Sequence, residues 1–267
     1  MISLHLAVLA VIQGITEFLP VSSSGHLVLV PLLTGWQDQG LIVDVAVHVG
    51  SLGAVVIYFW RDIWGMVTGL GWMLRGRRSP SAALVFYVIV ATLPLVGAGV
   101  ALEYYGLEAP RTLELLGWTT LGGGILLYIS DKTGMTVRRM DHMSLGVALM
   151  IGLFQIASIL PGMSRSGVTM TAARFCGFER PDAARFSMLL SIPAILGAGL
   201  LKGRTLLDGS APPELTYDVL VAAGLAFVTA LIAIAIMMSW LRRATFTPFV
   251  IYRLILGGAL LALAYQA

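Results

Sequence analysis

Long apolar stretches, interrupted by two polar motifs and a few charged loops, make up most of this chain. Six stretches are apolar enough and, at about 20 residues each, long enough for a helix to cross the hydrocarbon core of a membrane. They are residues 40–60, 81–102, 112–130, 182–203, 216–241 and 248–267. The pattern predicts an all-α integral membrane protein with about six transmembrane helices.

Two further apolar segments run into polar motifs that look like copies of each other. Residues 13–26 read QGITEFLPVSSSGH, and residues 155–169 read QIASILPGMSRSGVT. In both, a glutamine is followed after eight residues by the pattern Ser-x-Ser-Gly, and a Leu-Pro pair precedes the serines. The constant offset of 142 residues indicates an internal duplication, with 1–130 and 143–267 as the two repeats of a single membrane domain (1–267).

Each motif is expected to end one helix and begin another. The proline stops the first helix, and the serines and glycine that follow it favour the cap of a second. Residues 1–20 carry polar side chains near their end, and residues 25–34 are too short to span a membrane. We therefore predict two re-entrant helical hairpins, at about 1–34 and about 143–176, whose breaks are buried in protein or line a wet cavity.

Basic residues concentrate in alternate loops. They are Arg61, Arg75, Arg77, Arg78, Lys132, Arg138, Arg139, Arg242 and Arg243. Because loops rich in Lys and Arg stay in the cytoplasm, these loops, including a linker at 61–80, are predicted to be cytoplasmic and both termini to lie outside. The first hairpin then enters from the outer side and the second from the cytoplasmic side. This is an inverted-topology repeat. The distribution of basic loops favours a site that opens to the outer face, whereas topology alone also allows a cavity open to the cytoplasm.

Composition also favours a membrane protein. Of the 267 residues, 58% are hydrophobic and 12% are charged, whereas about 25% are charged in soluble domains. The formal charge of +3 is interpreted as loop orientation, and nucleic acid is not expected as a partner. No Lys or Arg precedes the first apolar stretch, which is therefore not expected to be a signal peptide. The single cysteine, Cys176, permits no internal disulfide.

The two hairpin tips are predicted to meet near the middle of the membrane and to bind a phosphate. A helix N-terminus presents unpaired N–H groups and the positive end of the helix dipole, which suits an anion. Arg165 adds a planar set of donors that matches phosphate oxygens. The residues predicted to bind phosphate are Ser22, Ser24, Gly25, Ser164, Ser166, Gly167 and Thr169.

The first motif also contains candidate catalytic groups. Ser23 lies three residues before His26 and close to Glu17, and a serine activated by a histidine beside a carboxylate is the pattern of nucleophilic catalysis. His26 can transfer protons near neutral pH. Glu17 and, one turn earlier, Gln13 are the candidate ligands of a divalent metal ion such as magnesium or calcium.

Other interpretations of the same residues stay open. Glu17 and Arg165 could form an ion pair that only fastens the two repeats, and His26 could be a satisfied histidine at the membrane interface. Asp44 and His48 could line the cavity or make a hydrogen bond on the helix surface. Inverted repeats with broken helices are also a transporter architecture, so a transporter or lipid flippase is the alternative function.

Both motifs resemble the signatures of the bacterial undecaprenyl-diphosphate phosphatase family, also called the bacitracin-resistance protein family. The resemblance covers essentially the whole chain, including residues 186–193 and 248–253. It implies a phosphatase of the bacterial inner membrane that removes the terminal phosphate of undecaprenyl diphosphate and yields the carrier lipid for cell-wall assembly. The polyprenyl diphosphate substrate and membrane lipid are the implied partners, and a homodimer is left open.

The resemblance also implies roles for individual residues. Ser23 resembles the proposed nucleophile, His26 the acid or base, and Arg165 the phosphate clamp. Gln13 stands where many members have Glu. This departure puts a metal site with two carboxylates in doubt and makes Glu17 the main candidate ligand.

Overall fold

A computed structural model describes residues 3–36, 40–77, 79–107, 109–110, 112–207 and 216–266. The regular elements in these ranges are helices, accompanied by one isolated β-bridge between Arg138 and Phe178. The α-helices are α1 Leu4–Thr16, α2 Ser23–Thr34, α3 Gly40–Tyr58, α4 Trp60–Leu74, α5 Pro80–Tyr104, α6 Leu113–Thr133, α7 Leu145–Ile156, α8 Arg165–Phe175, α9 Arg180–Leu207, α10 Thr216–Leu241 and α11 Thr247–Gln266. Met1, Arg78 and Ala267, which the sequence predictions include, lie outside the described residues.

The predicted spans correspond to long apolar helices. Within the described residues, α5, α6, α9, α10 and α11 each contain a stretch long and apolar enough to cross a membrane. The sixth predicted span is α3, which passes the same test together with α4 although the two helices are bent by 88° at their junction. The prediction of an all-α protein is confirmed, and the six or so predicted spans correspond to five to six apolar helices suited to a membrane.

One predicted linker is a helix. The arginines of residues 61–80 predict a cytoplasmic linker, but α4 occupies residues 60–74. The charged residues lie at its two ends, and the residues between them are mostly apolar, so they support a helix. Gly69 on this helix lies so close to the start of α5 that an added Cβ would be 2.6 Å from the carbonyl oxygen of Ser81.

Both polar motifs interrupt the helices where the sequence predicts. Residues 17–22, here called the first break, separate α1 from α2. Residues 160–164, the second break, precede α8 and follow α7 and a short 3-10 helix, Ala157–Ile159. The start of α1 lies near the second residue after α2, since the rings of His5 and Trp36 are 5.3 Å apart. The start of α7 and the end of α8 also share one end, because Val147 and Cys176 line the same cavity.

A buried ionic network ties several helix ends together at the end of the molecule that includes the start of α11. Asp131 at the end of α6 contacts Arg174 at 3.2 Å and Arg180 at 2.7 Å, and it accepts a hydrogen bond from the backbone N–H of Phe246. The side chain of Arg174 is fully buried and also donates to backbone carbonyl oxygens, including that of Gly134. The ends of α6, α8, α9 and α11 therefore lie together.

Candidate active site

The two breaks have the same local geometry. Ser22 and Ser164 are the N-caps of α2 and α8, and both have a positive φ, 76° and 66°, which non-glycine residues rarely adopt. Each serine hydroxyl accepts a hydrogen bond from the N–H of a glycine three residues later: Gly25 donates at 3.3 Å and Gly167 at 3.2 Å. The strained caps aim the first turns of both helices, and such strain is concentrated at functional sites.

The serines after the caps connect one break to the other. Ser24 accepts a hydrogen bond from the N–H of Gly162 at 3.2 Å, and Ser166 donates to the carbonyl oxygen of Leu19 at 3.0 Å. Each of these serines also contacts its own N-cap serine, at 3.3 Å and 3.1 Å respectively. The structure therefore brings the two motifs together, as the sequence predicts.

Glu17 lies at the centre of the catalytic candidates. Its Oε2 accepts hydrogen bonds from Ser23 Oγ and from Gln13 Nε2, both at 2.9 Å. Its Oε1 lies 3.3 Å from Arg165 Nη2. The His48 Nε2 atom is 3.7 Å from Oε2. Because Ser23 donates directly to a carboxylate, Glu17 is the group positioned to accept its proton.

A cavity of about 230 Å³ opens beside this cluster. Its lining includes Glu17, Arg165, Asp44, His48 and Ser158, with apolar residues of α5 and α9 opposite. The sequence left open whether Asp44 and His48 line the cavity or make a hydrogen bond on the helix surface. Both side chains line this cavity, and the His48 ring also contacts the Asp44 carbonyl oxygen at 2.6 Å. The site combines charged groups with an apolar wall.

Arg165 forms the ion pair that the alternative interpretation expects, but the pair does not use all of its donors. Within the described residues, its buried Nη1 atom has no hydrogen-bond partner. A buried donor without a partner is costly, particularly on a charged group. An anion in the adjoining cavity would satisfy it, so fastening the breaks does not account for this side chain.

His26 and Ser23 do not form the pair that their spacing suggests. The Nδ1 atom of His26 lies 2.7 Å from the carbonyl oxygen of Ser22, and its Nε2 atom lies 2.5 Å from the hydroxyl of Tyr252 on α11. Since a carbonyl oxygen only accepts, Nδ1 carries a proton, and in the neutral ring Nε2 accepts a hydrogen bond from the Tyr252 hydroxyl. The two rings are nearly parallel, with 3° between their planes. Ser23 instead donates to Glu17.

Thr169 is buried and faces α9. Its hydroxyl contacts that of Ser187 at 2.7 Å and the carbonyl oxygen of Arg165 at 2.9 Å. The predicted phosphate contact would therefore require this hydroxyl to exchange partners. In the present arrangement Thr169 supports the first turn of α8.

The residues predicted to hold a metal ion, Gln13 and Glu17, suit an ion that takes few of its ligands from the protein. The buried Oε1 atom of Gln13 has no hydrogen-bond partner among the described residues, and the same side chain contacts Glu17. The described residues contain no group of three or more His, Cys, Asp or Glu side chains with metal-ligand geometry. Oxygen ligands in small number fit a magnesium ion whose remaining ligands are water and substrate phosphate.

Tyr252 and Arg253 are functional candidates that the sequence analysis missed. Both lie in α11, within the segment 248–253 that contributes to the family resemblance. An arginine inside an apolar span is rare and usually marks a functional site, so the sequence alone could have identified Arg253. It could not have identified Tyr252, because aromatic residues are common in membrane helices and the contact with His26 spans 226 residues of sequence.

Comparison with known proteins gives this site a family. The model of the bacitracin resistance protein BacA family matches residues 6–259. The chain belongs to the BacA family. The chain is 52% identical to undecaprenyl-diphosphatase 1 of Rhodospirillum rubrum, over 99% of its own length and 96% of the relative's. It is also 52% identical to the undecaprenyl-diphosphatase of Ruegeria pomeroyi, over 98% of both chains. The resemblance predicted from the two BacA motifs is confirmed.

Proposed function

We propose that this chain is a membrane phosphatase that hydrolyses undecaprenyl diphosphate to undecaprenyl phosphate and inorganic phosphate. Full-length similarity to relatives named undecaprenyl-diphosphatase supports the substrate. One geometric observation carries the chemistry. A serine hydroxyl donates to a buried carboxylate, and an arginine nitrogen without a partner lies beside them at a cavity. The product is the carrier lipid of cell-wall assembly.

In the proposed mechanism Glu17 accepts the proton of Ser23 as Ser23 Oγ attacks the terminal phosphorus. The bond from that phosphorus to the bridging oxygen breaks, and undecaprenyl phosphate leaves with the bridging oxygen. Water then attacks the phosphoserine, which releases inorganic phosphate and restores Ser23. In a direct form of the reaction, Ser23 orients a water that attacks instead. Acid-quench trapping of a phosphorylated Ser23 distinguishes the two forms.

The remaining groups stabilise charge and move protons. Arg165 Nη1 binds a phosphoryl oxygen, and the positive ends of α2 and α8 add to its effect, since electrostatic stabilisation provides most of the catalysis in phosphoryl transfer. His26 retains its proposed role as acid or base, through the nitrogen that now contacts Tyr252. A divalent cation held by Glu17 and Gln13 would neutralise charge on the diphosphate.

The proposal includes an inverted repeat with two re-entrant hairpins in the bacterial inner membrane. The shared ends of α1 with α2 and of α7 with α8 support hairpins. The helices that pack against the two hairpins support their insertion from opposite sides of the membrane. The start of α1 packs with the start of α10 through Leu6 and Ala222, whereas the end of α8 joins the network of Asp131 near the start of α11. The basic loops support an outer, periplasmic opening of the site.

Phosphate release by the purified protein tests the function. The protein in detergent is given undecaprenyl diphosphate and magnesium, and the expected result is release of inorganic phosphate that a chelator suppresses and added magnesium or calcium restores. Arg165→Ala should abolish release, whereas Arg243→Ala, which removes an exposed arginine, should not change it. Lipid movement in sealed vesicles without phosphate release would favour the transporter alternative. Activity that resists chelation would remove the metal from the proposal.

A further inference from the structure

Arg253 is a buried charge that the mechanism so far does not use. Its side chain is fully buried in α11, and among the described residues it has no carboxylate partner within ion-pair distance. A charged group in the interior of a membrane protein is costly unless its donors are satisfied and is usually functional. Its role therefore follows from the atoms that it contacts.

The guanidinium of Arg253 donates to the backbone of both breaks. Its Nη1 atom lies 3.4 Å from the carbonyl oxygen of Pro20 in the first break. Its Nη2 atom lies 3.2 Å and 3.1 Å from the carbonyl oxygens of Gly162 and Met163 in the second break. The Nε atom donates to the carbonyl oxygen of Thr120 in α6 at 3.0 Å, which anchors the group. One side chain thus bridges three separate elements.

These contacts lie immediately before the reacting groups. Pro20 precedes Ser23 by three residues, and Met163 precedes Arg165 by two. Ser23 and Arg165 occupy equivalent positions, each being the first residue of its helix, α2 or α8. A guanidinium that holds the chain just before each helix start therefore holds the nucleophile and the phosphate clamp at a fixed separation.

We propose that Arg253 is the positioning residue that sets the geometry between Ser23 and Arg165. The inference rests on the proposed phosphatase function. The planar guanidinium has five N–H donors in a rigid arrangement, so it can reach carbonyl oxygens on both breaks at once, whereas an ammonium cannot. Its uncancelled charge also adds to the positive ends of α2 and α8 and favours an anionic head group.

Two glycines of α6 allow the guanidinium to be displaced without removing it. A Cβ added at Gly123 would collide with Arg253 Nη2 and would lie 3.0 Å from Met163 Sδ. A Cβ added at Gly122, the preceding residue, would meet nothing within 4 Å. Gly123→Ala therefore moves the Arg253 head group, and Gly122→Ala is its matched control in the same helix.

A second control comes from another fully buried arginine, Arg174. Arg174 also donates to backbone carbonyl oxygens, but it lies at the end of α8 far along the helix from Arg165 and contacts Asp131. Arg174→Lys should lower the melting temperature as a structural loss does. It should leave kcat per folded molecule within about twofold of wild type, because it does not touch either break.

The test measures kcat and KM for undecaprenyl diphosphate per folded molecule in these variants and the wild type. Misplacing reacting groups by about 1 Å costs on the order of 100-fold in rate. We expect Gly123→Ala and Arg253→Lys to lower kcat at least about tenfold with KM within about threefold, while Gly122→Ala matches the wild type. A lower kcat with a nearly unchanged KM indicates misplaced reacting groups, whereas a raised KM with an unchanged kcat would indicate loss of substrate binding.

Each other outcome contradicts either this inference or the proposed function, and the two are distinguishable. Wild-type protein that releases no phosphate contradicts the function. Active wild type with unchanged kcat in Gly123→Ala and Arg253→Lys overturns the role of Arg253. If Arg253→Lys does not fold, Gly123→Ala decides. If neither folds while both controls fold, or if Arg174→Lys loses as much kcat, Arg253 serves the fold alone and the inference is overturned.

Discussion

At the scale of single residues, the proposed chemistry depends on Glu17. This carboxylate, of which 8% of the side chain is exposed, accepts hydrogen bonds from Ser23 and Gln13 and forms an ion pair with Arg165. It therefore connects the proposed nucleophile, Ser23 at the start of α2, to the proposed phosphate clamp, Arg165 at the start of α8. An amide in place of this carboxylate would lose both the charge that pairs with Arg165 and the base that accepts the Ser23 proton, since an amide has no charge and is not a base.

Glu17→Gln tests this role. The amide keeps the shape of the side chain but cannot accept the Ser23 proton, so kcat should fall about 100-fold or more, which is the usual contribution of a general base. Glu179→Gln makes the same chemical change at a partly exposed residue paired with Arg139 and should have little effect. Both variants are compared by phosphate release per folded molecule. A kcat for Glu17→Gln within about threefold of wild type would exclude Glu17 as the base.

Tyr252 is the second residue whose role can be measured. Its hydroxyl donates to His26 and fixes the orientation of that ring. Tyr252→Phe removes one hydrogen bond, typically about 1 kcal/mol, so kcat should fall by about two- to tenfold if His26 transfers protons. Tyr265→Phe on the same helix removes a hydroxyl that contacts Glu114 instead and is the matched control. Equal kcat values in the two variants would show that the Tyr252 contact does not serve catalysis.

Residue identities in the site were more predictable than the contacts among them. The two motifs named Ser23, Glu17 and Arg165, and the structure brings these three together. The predicted contact between Ser23 and His26 relied on helical spacing alone. The left-handed backbone at Ser22 turns the Ser23 hydroxyl toward Glu17, and the distant Tyr252 holds His26. The spacing of residues along the sequence predicts neither the strained backbone at Ser22 nor the contact of His26 with a residue on another helix.

At the scale of elements, close helix packing decides where the helices lie around the breaks. Gly50 on α3 faces the backbone of α10, where an added Cβ would lie 2.8 Å from the carbonyl carbon of Ala223. Gly14 on α1 approaches the same helix, with an added Cβ 2.5 Å from the carbonyl oxygen of Ala226. Small residues let helix backbones approach in this way in membranes. Helix α10 is thus a common support for α1, which Glu17 follows directly, and for α3, which carries His48.

Gly50→Ala is predicted to weaken this packing. The methyl group would push α3 away from α10, and overpacking of this kind costs about 1–3 kcal/mol. Gly224→Ala is the matched control, because its Cβ would meet nothing within 4 Å and alanine favours the helix by about 1 kcal/mol. Thermal unfolding in detergent should give a lower melting temperature for Gly50→Ala and an equal or higher one for Gly224→Ala. The reverse order would contradict the packing of α3 on α10.

Element boundaries followed from the sequence wherever the apolar pattern ended at a clear stop. The predicted span 216–241 coincides with α10, and the predicted span 112–130 differs from α6 by a few residues. The linker predicted at 61–80 is the exception, because its arginines indicate a loop although the apolar residues between them form a helix. Charge at helix ends and charge in a loop look alike in a sequence, and tertiary contacts such as Gly69 against Ser81 decide between them.

At the scale of the whole molecule, many of the charged residues lie together at one end of the helices. The basic residues Arg138, Arg139, Arg242 and Arg243 follow α6 and α10. Their end of the molecule also contains the pair of Arg185 with Asp62 and the network around Asp131. Helix α5 starts beside α4 near this end, and its 25 residues span about 38 Å before Tyr104. Helix α5 is therefore long enough to cross a membrane hydrocarbon core about 30 Å thick, with its two ends on opposite sides.

Single-cysteine labelling tests which side is outside. Cys176 is the only cysteine in the sequence and is partly buried at the end of α8, so a Cys176→Ala background should lose little labelling. Tyr105→Cys should react with a membrane-impermeant maleimide on intact spheroplasts, whereas Arg243→Cys should react only after the membrane is opened. Both positions are exposed in the fold, so access depends on the membrane. The opposite pattern would turn the site of Glu17 and Arg165 toward the cytoplasm, and the enzyme could then not act on lipid diphosphate at the outer face.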